Sequence, residues 1–244
     1  MFGKKSYYIT TVLTVTDRLE YLQSQLESIK NQTVSSEIFI HWNNDTEYEL
    51  EYPSVIYRNQ HKSTPLYSRF INSINITTPY VFICDDDTLP GKKYLEKCLE
   101  FSKNKDVCIV SCGMNFNEGE TKYNVNKRIR QSEFLKVPTQ VNMGGQGYFL
   151  KTELLRKYCN YKTHSTLSGE DIHLGFVCYK ENIPIYVLDK DENDKDTWQD
   201  LTLGERGNDE KAQWKYPTHK PVRDELMGIY TSLGWEFNIK KSLM

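Results

Sequence analysis

Three consecutive carboxylates, Asp85-Asp86-Asp87, follow directly on the apolar run Tyr80-Val81-Phe82-Ile83-Cys84. A buried strand gains nothing from three anions at its tip. They repel one another, and desolvating them unpaired is costly. A hard divalent cation, Mn²⁺ or Mg²⁺, makes the arrangement tolerable. Such ions take oxygen ligands, often one or two carboxylates, and share themselves with substrate phosphates. Ligands of open α/β sheets gather at the carboxyl ends of the strands. The run therefore marks a metal–diphosphate site, with a solvated acidic turn as the alternative, since Thr88-Leu89-Pro90-Gly91 follows.

Other residues have chemistry to offer. Glu170 and Asp171, after Gly169, open an apolar helical pattern. Acids there suit the helix dipole, so capping is the plain reading. His219, in Tyr216-Pro217-Thr218-His219-Lys220, carries an imidazole able to bind a metal ion; a surface or structural role is the alternative. Arg69 has the fork that fits phosphate oxygens, or a surface salt bridge. Asp45 can accept a hydrogen bond from a base N–H or simply close an Asx turn. Gly144-Gly145-Gln146-Gly147 reads as a tight turn that lets a backbone approach a ligand.

The elements that must position these groups alternate. Strands are expected at Tyr7 to Val15, Glu37 to Trp42, Val55 to Arg58, Tyr80 to Cys84, Val107 to Cys112 and Ile185 to Leu188. Helical spacing of apolar residues covers Leu19 to Asn31, Ser68 to Ile74, Tyr94 to Phe101, 152–158, 170–181 and about 221–233. Thr16-Asp17-Arg18 reads as a turn and helix cap. The alternation predicts a three-layer α/β/α sandwich with a mostly parallel central sheet. Residues 189–216 are densely charged and poor in aliphatics, which predicts a mobile loop.

The 244 residues suffice for one domain, read here as a donor-binding half to about residue 112 and an acceptor-binding half beyond it. A net charge of −2 gives no global attraction to nucleic acid or anionic membrane, so such a partner needs a local patch. None of the six cysteines forms a CxxC pair, which removes a zinc ribbon or thioredoxin-like site and fits reduced thiols in a cytoplasmic protein. No apolar run reaches the length of a transmembrane segment.

The order of these features resembles the GT-A glycosyltransferases, close to the family 2-like group. The stretch Asn59 to Pro90, with Arg69-Phe70 ahead of the triple aspartate, is similar to the exostosin-type transferases. The resemblance runs from about residue 7 to 230. It implies transfer of a sugar from a nucleoside-diphosphate-sugar, a UDP-sugar by preference, to an acceptor hydroxyl. It makes the triple aspartate a DxD motif, with Asp87 ligating Mn²⁺ or Mg²⁺ and Asp85 and Asp86 meeting ribose or donor sugar. Asp85 and His219 are further candidate ligands of the metal. Thr14, Val15, Asp17, Arg18, Asp45, Arg69, Gly145 and Arg206 would complete the donor site. Asp171, beside Glu170, would be the base that deprotonates the acceptor in an inverting reaction. Were the enzyme retaining, as exostosin-type relatives are, Asp171 would instead orient substrate. Inversion is the slightly favoured expectation.

The acceptor is less legible. Lys122 to Lys136 carries five basic residues and one acid, with Tyr123 and Phe134 interleaved. This is either a track for a nucleic-acid backbone or a solvated basic face. The small chain also looks like viral or phage sugar transferases that decorate modified DNA bases. The acceptor is then a hydroxymethylated base in DNA, reached by flipping, or else a glycan. A nucleotidyltransferase or a metal-dependent nuclease built on the same aspartates is the alternative function. A non-catalytic sugar-binding module has no need of both acidic motifs.

Overall fold

The computed structural model describes residues 8–16, 18–43, 55–58, 65–191, 193–197, 207 and 209–237, with only the backbone path for 55–58 and 65. Strand β1 (Ile9–Val15) is buried along its whole length, as a strand covered on both faces must be. A single turn of 3₁₀ helix at Leu19–Tyr21 leads into α1 (Leu22–Lys30). Then come β2 (Glu37–Trp42), β3 (Val55–Arg58), α2 (Pro65–Asn72), β4 (Tyr80–Cys84) and α3 (Tyr94–Ser102). The second half supplies β5 (Cys108–Asn115), β6 (Lys127–Ile129), β7 (Thr139–Val141), β8 (Met143–Lys151), α4 (Thr152–Asn160), α5 (Glu170–Lys180), β9 (Ile185–Val187) and α6 (His219–Ser232).

The sheet runs β3-β2-β1-β4-β8-β5-β9-β7, with β6 paired to β5. Its first four strands are parallel, and β8 and its neighbours make the rest mixed. Alternation along the strands feeds two cores. Tyr80, Phe82 and Cys84 point to the layer of α1 and α3, where Leu22, Leu26, Tyr94 and Leu95 pack. Val81 and Ile83 point to the layer of α2, α4 and α5, against Phe70, Leu155 and Val177. This is the expected three-layer sandwich.

The two halves of the chain share that sheet, because β8 inserts between β4 and β5. Here the expected glycine turn is corrected: residues 144–147 are strand. A Cβ on Gly144 would lie 2.4 Å from the Cys112 carbonyl oxygen, and one on Gly147 3.2 Å from the Phe82 ring. The glycines serve close strand packing. All six cysteines are free thiols. Among the described residues, no helix is long and apolar enough to cross a membrane.

Candidate active site

The parallel register brings the tips of β1, β2 and β4 to one edge: Val15 lies opposite Trp42, and Leu13 opposite Cys84. The triple aspartate leaves β4 there. Its backbone is held from both sides. Asp85 N–H donates to the Gln146 carbonyl of β8 at 2.8 Å. Gln25 of α1 donates its amide to the carbonyls of Asp85 (2.6 Å) and Thr88 (3.0 Å). Ser28 donates to Pro90 O at 2.5 Å, and Gln32 to Gly91 O at 2.7 Å. Buried polar residues of α1 and of the turn just after it thus fasten the whole loop.

Three guanidiniums meet the carboxylates. Arg69 (α2), 3% exposed, pairs with Asp85 and donates to Glu170 Oε1 at 3.1 Å. Arg18 donates to Asp86 Oδ1 at 2.7 Å and stands 3.7 Å from Asp87 Oδ2. It also bonds Asp209 through Nε (2.8 Å) and Nη2 (2.9 Å). Arg223 (α6) forms a two-point pair with Asp171, at 2.9 and 2.7 Å, and its guanidinium lies 4.2 Å over the Tyr123 ring.

These three cations face six carboxylates: Asp85, Asp86, Asp87, Asp209, Glu170 and Asp171. The excess of negative charge shows in the titration. Burial, then Asp86, pushes Asp87 up to about 6. Burial raises Asp85 well above the usual range, against the pull of Arg69. Burial and then Asp171 raise Glu170, whose Oε2 is buried without a hydrogen-bond partner among the described residues.

The residues fit a shared divalent cation. The donors are hard oxygens, and among the described residues the positive charge at the cluster falls short of the negative. Among the described residues, no three metal-binding side chains form a complete ligand set. An ion of this kind would take one or two carboxylates and complete its shell with diphosphate and water. Asp87 and its neighbours would hold it.

The expected site residues divide into groups. Asp85, Asp86, Asp87, Arg18, Arg69 and Glu170 are linked by the ion pairs above, and Asp171 joins them through its neighbour Glu170. Thr14 and Val15 are buried in β1, with the Thr14 hydroxyl unpaired among the described residues. Gly145 sits in β8, and its carbonyl accepts from Ser111 at 2.9 Å. His219 starts α6 on the Asp171 side. After its own burial, the positive fields of Arg223 and Arg128 depress its protonation, and Asp171 opposes them. No described hydrogen bond or ion pair joins it to Asp85 or Asp87. His173 is fully buried between Tyr230 and Tyr158 and belongs to the core. Asp17, Asp45 and Arg206 lie outside the described residues, as does part of 189–216.

The described parts of that stretch are anchored. The Lys190 ammonium is buried against the carbonyls of Ser111, Arg130 and Gln131. Thr197 O accepts from Gly91 N at 2.8 Å, and Asp209 holds Arg18. Of the basic stretch, Lys127, Arg128 and Arg130 are exposed around β6.

The model of the glycosyl transferase family 64 domain matches residues 9–177, more than half of the chain. The chain belongs to glycosyl transferase family 64. No curated protein matches this family 64 chain. Among solved structures, S. aureus TarS is similar with a TM-score of 0.54 and 16% identity, over 75% of this chain and 35% of that one. TarS 1-349 in complex with UDP-GlcNAc has a TM-score of 0.55 and 15% identity, over 75% and 56%. At that identity the likeness shows the fold. The family 64 chain spans little more than half the length of TarS 1-349, and less of full TarS.

Five functional residues escaped sequence reading. Arg223 is a lone cation on the inner face of α6. Asp209 pairs across 191 residues. Gln25 and Ser28 lie at helical spacing on one side of α1, with Gln32 just past its end, and that periodicity was the available signal.

Proposed function

We propose that this family 64 chain transfers a sugar from a UDP-sugar to an acceptor hydroxyl with the help of Mn²⁺ or Mg²⁺. The observation that carries the reading is the run of carboxylates and guanidiniums at one sheet edge, Asp209–Arg18–Asp86/Asp87 and Asp85–Arg69–Glu170. The UDP-GlcNAc complex of TarS supports a uridine donor. Family membership favours transfer over the nucleotidyltransferase and nuclease alternatives.

A divalent cation held by Asp87, when bound, neutralises charge on the departing diphosphate. Arg18 and Arg69 stand at the same edge, where guanidinium forks suit phosphate oxygens. The bond from the anomeric carbon to the diphosphate oxygen breaks, and its electron pair leaves with UDP. The acceptor oxygen takes that carbon.

Asp171 is the acid nearest to the expected role of base. Both of its oxygens are held by the Arg223 fork. Oδ1 also accepts from the Ile172 N–H at 2.8 Å, so Oδ2 is the oxygen that keeps a lone pair for a further hydrogen bond. Asp171 therefore orients the acceptor hydroxyl, and the acceptor proton passes to the departing diphosphate. This favours retention over inversion.

For the acceptor, the exposed bases of β6 favour a polyanion, a hydroxymethylated base in DNA, over a glycan. The test is UDP release from a panel of UDP-sugars with Mn²⁺, with and without hydroxymethylated DNA. Stimulation by DNA that weakens with salt supports the reading. Silence with every donor ends the transferase reading. Release stimulated only by glycans moves the acceptor. The anomeric configuration of the first product tests retention.

A further inference from the structure

Arg18 presents two edges to acids. Its Nε–Nη2 edge is fully taken by Asp209, at 2.8 and 2.9 Å. Only Nη1 remains directed at the acid cluster, 2.7 Å from Asp86 and 3.7 Å from Asp87. Asp209 comes from the chain segment that also seats Gly207 against Asp87. A Cβ on Gly207, whose φ is +73°, would fall 2.0 Å from Asp87 Oδ2. The segment therefore touches the cluster at two points.

A guanidinium beside carboxylates prefers a two-point fork to a single contact. With Asp209 gone, Arg18 is free to turn its fork onto Asp86 or Asp87. It would then occupy the lone pairs that a divalent cation needs. A small shift suffices, since Nη1 already touches Asp86.

We infer that Asp209 is a positioning residue that keeps the Arg18 fork from closing on Asp87, and so preserves the Asp87 oxygens for a divalent cation. This rests on the metal-dependent reading above. The side chain of Asp209 is about a third exposed (35%), so its replacement leaves the core untouched.

The experiment is Mn²⁺ titration of the full chain by electron paramagnetic resonance, with no donor present. The variants are Asp209→Asn, Arg18→Ala and the double variant, with Asp209→Glu as a variant that keeps the carboxylate. Asp209→Asn is expected to weaken Mn²⁺ binding about tenfold, the size of one lost charge-assisted contact. Arg18→Ala is expected to bind at least as tightly as the wild type. In that background Asp209→Asn should change little, and Asp209→Glu should restore most of the affinity. Thermal melting checks that each variant is folded.

Two results overturn the inference: Asp209→Asn binds like the wild type, or it loses as much affinity without Arg18 as with it. The second would make Asp209 a direct ligand or a plain source of field. A wild type that binds no Mn²⁺, either alone or with UDP added, overturns the metal-dependent reading itself, and the inference falls with it.

Discussion

Asp171 and Arg223 meet fork to carboxylate, at 2.9 and 2.7 Å, with both side chains buried. The pair ties the start of α5 to α6 and fixes the direction of a carboxylate at the site. Its partners come from segments 52 residues apart.

Breaking that pair is expected to be expensive. Arg223→Ala leaves Asp171 buried without its cation, a change that costs about 3–5 kcal/mol. Arg223→Lys should recover only part, because an ammonium cannot make the planar fork. Denaturant melts give the stability. Asp171→Asn should keep UDP binding but lower transfer about 100-fold through lost orientation. Full activity in a folded Asp171→Asn protein would remove this residue from the reaction.

Gln25 is expected to matter to the metal site without touching it. Gln25→Ala leaves the buried carbonyls of Asp85 and Thr88 without its amide. Leaving buried acceptors unsatisfied costs about 1–3 kcal/mol. The turn that carries the aspartates should loosen, so Mn²⁺ affinity should fall together with the denaturation midpoint. A fall in stability with unchanged Mn²⁺ binding would show that α1 supports only the fold.

Asp87 gives a pH dependence with a defined sign. Its carboxyl titrates at about 6 instead of the usual 3.8, because burial and Asp86 disfavour the anion. Between those values the folded chain holds a proton that the unfolded chain has released. Stability from this group is therefore greatest at low pH and falls as pH rises through the window. Relative to Asp87→Asn, metal-free wild type should melt higher at about pH 5 than at about pH 7. Mn²⁺ binding should run the other way and weaken as pH falls through that range, since ligation needs the carboxylate. Asp87→Asn should also abolish metal-dependent UDP release while keeping the fold, because the core of β4 is unchanged. A wild type and Asp87→Asn protein with the same pH profile would place the titration elsewhere.

The sequence by itself determined most elements and half of the site. The run Tyr80 to Cys84 is a strand to the residue, because five apolar residues ended by acids are a local signal of burial and exit. The same locality made the triple aspartate and the acids of α5 legible. The helix at the end of the chain begins at His219 instead of about 221, a difference of one half turn.

The tertiary structure decided what meets what. No local pattern marks 143–147 as strand: glycines carry no alternating side chains, and their need appears only where β8 presses on Cys112 and Phe82. Asp209 and Arg223 look like ordinary surface charges in sequence. They acquire roles because the fold carries them, from 191 and 52 residues away, to Arg18 and Asp171. Periodicity records which side of an element is buried. It holds no record of which distant charge will share that burial, and ion pairs at a sheet edge are made of that second kind of information.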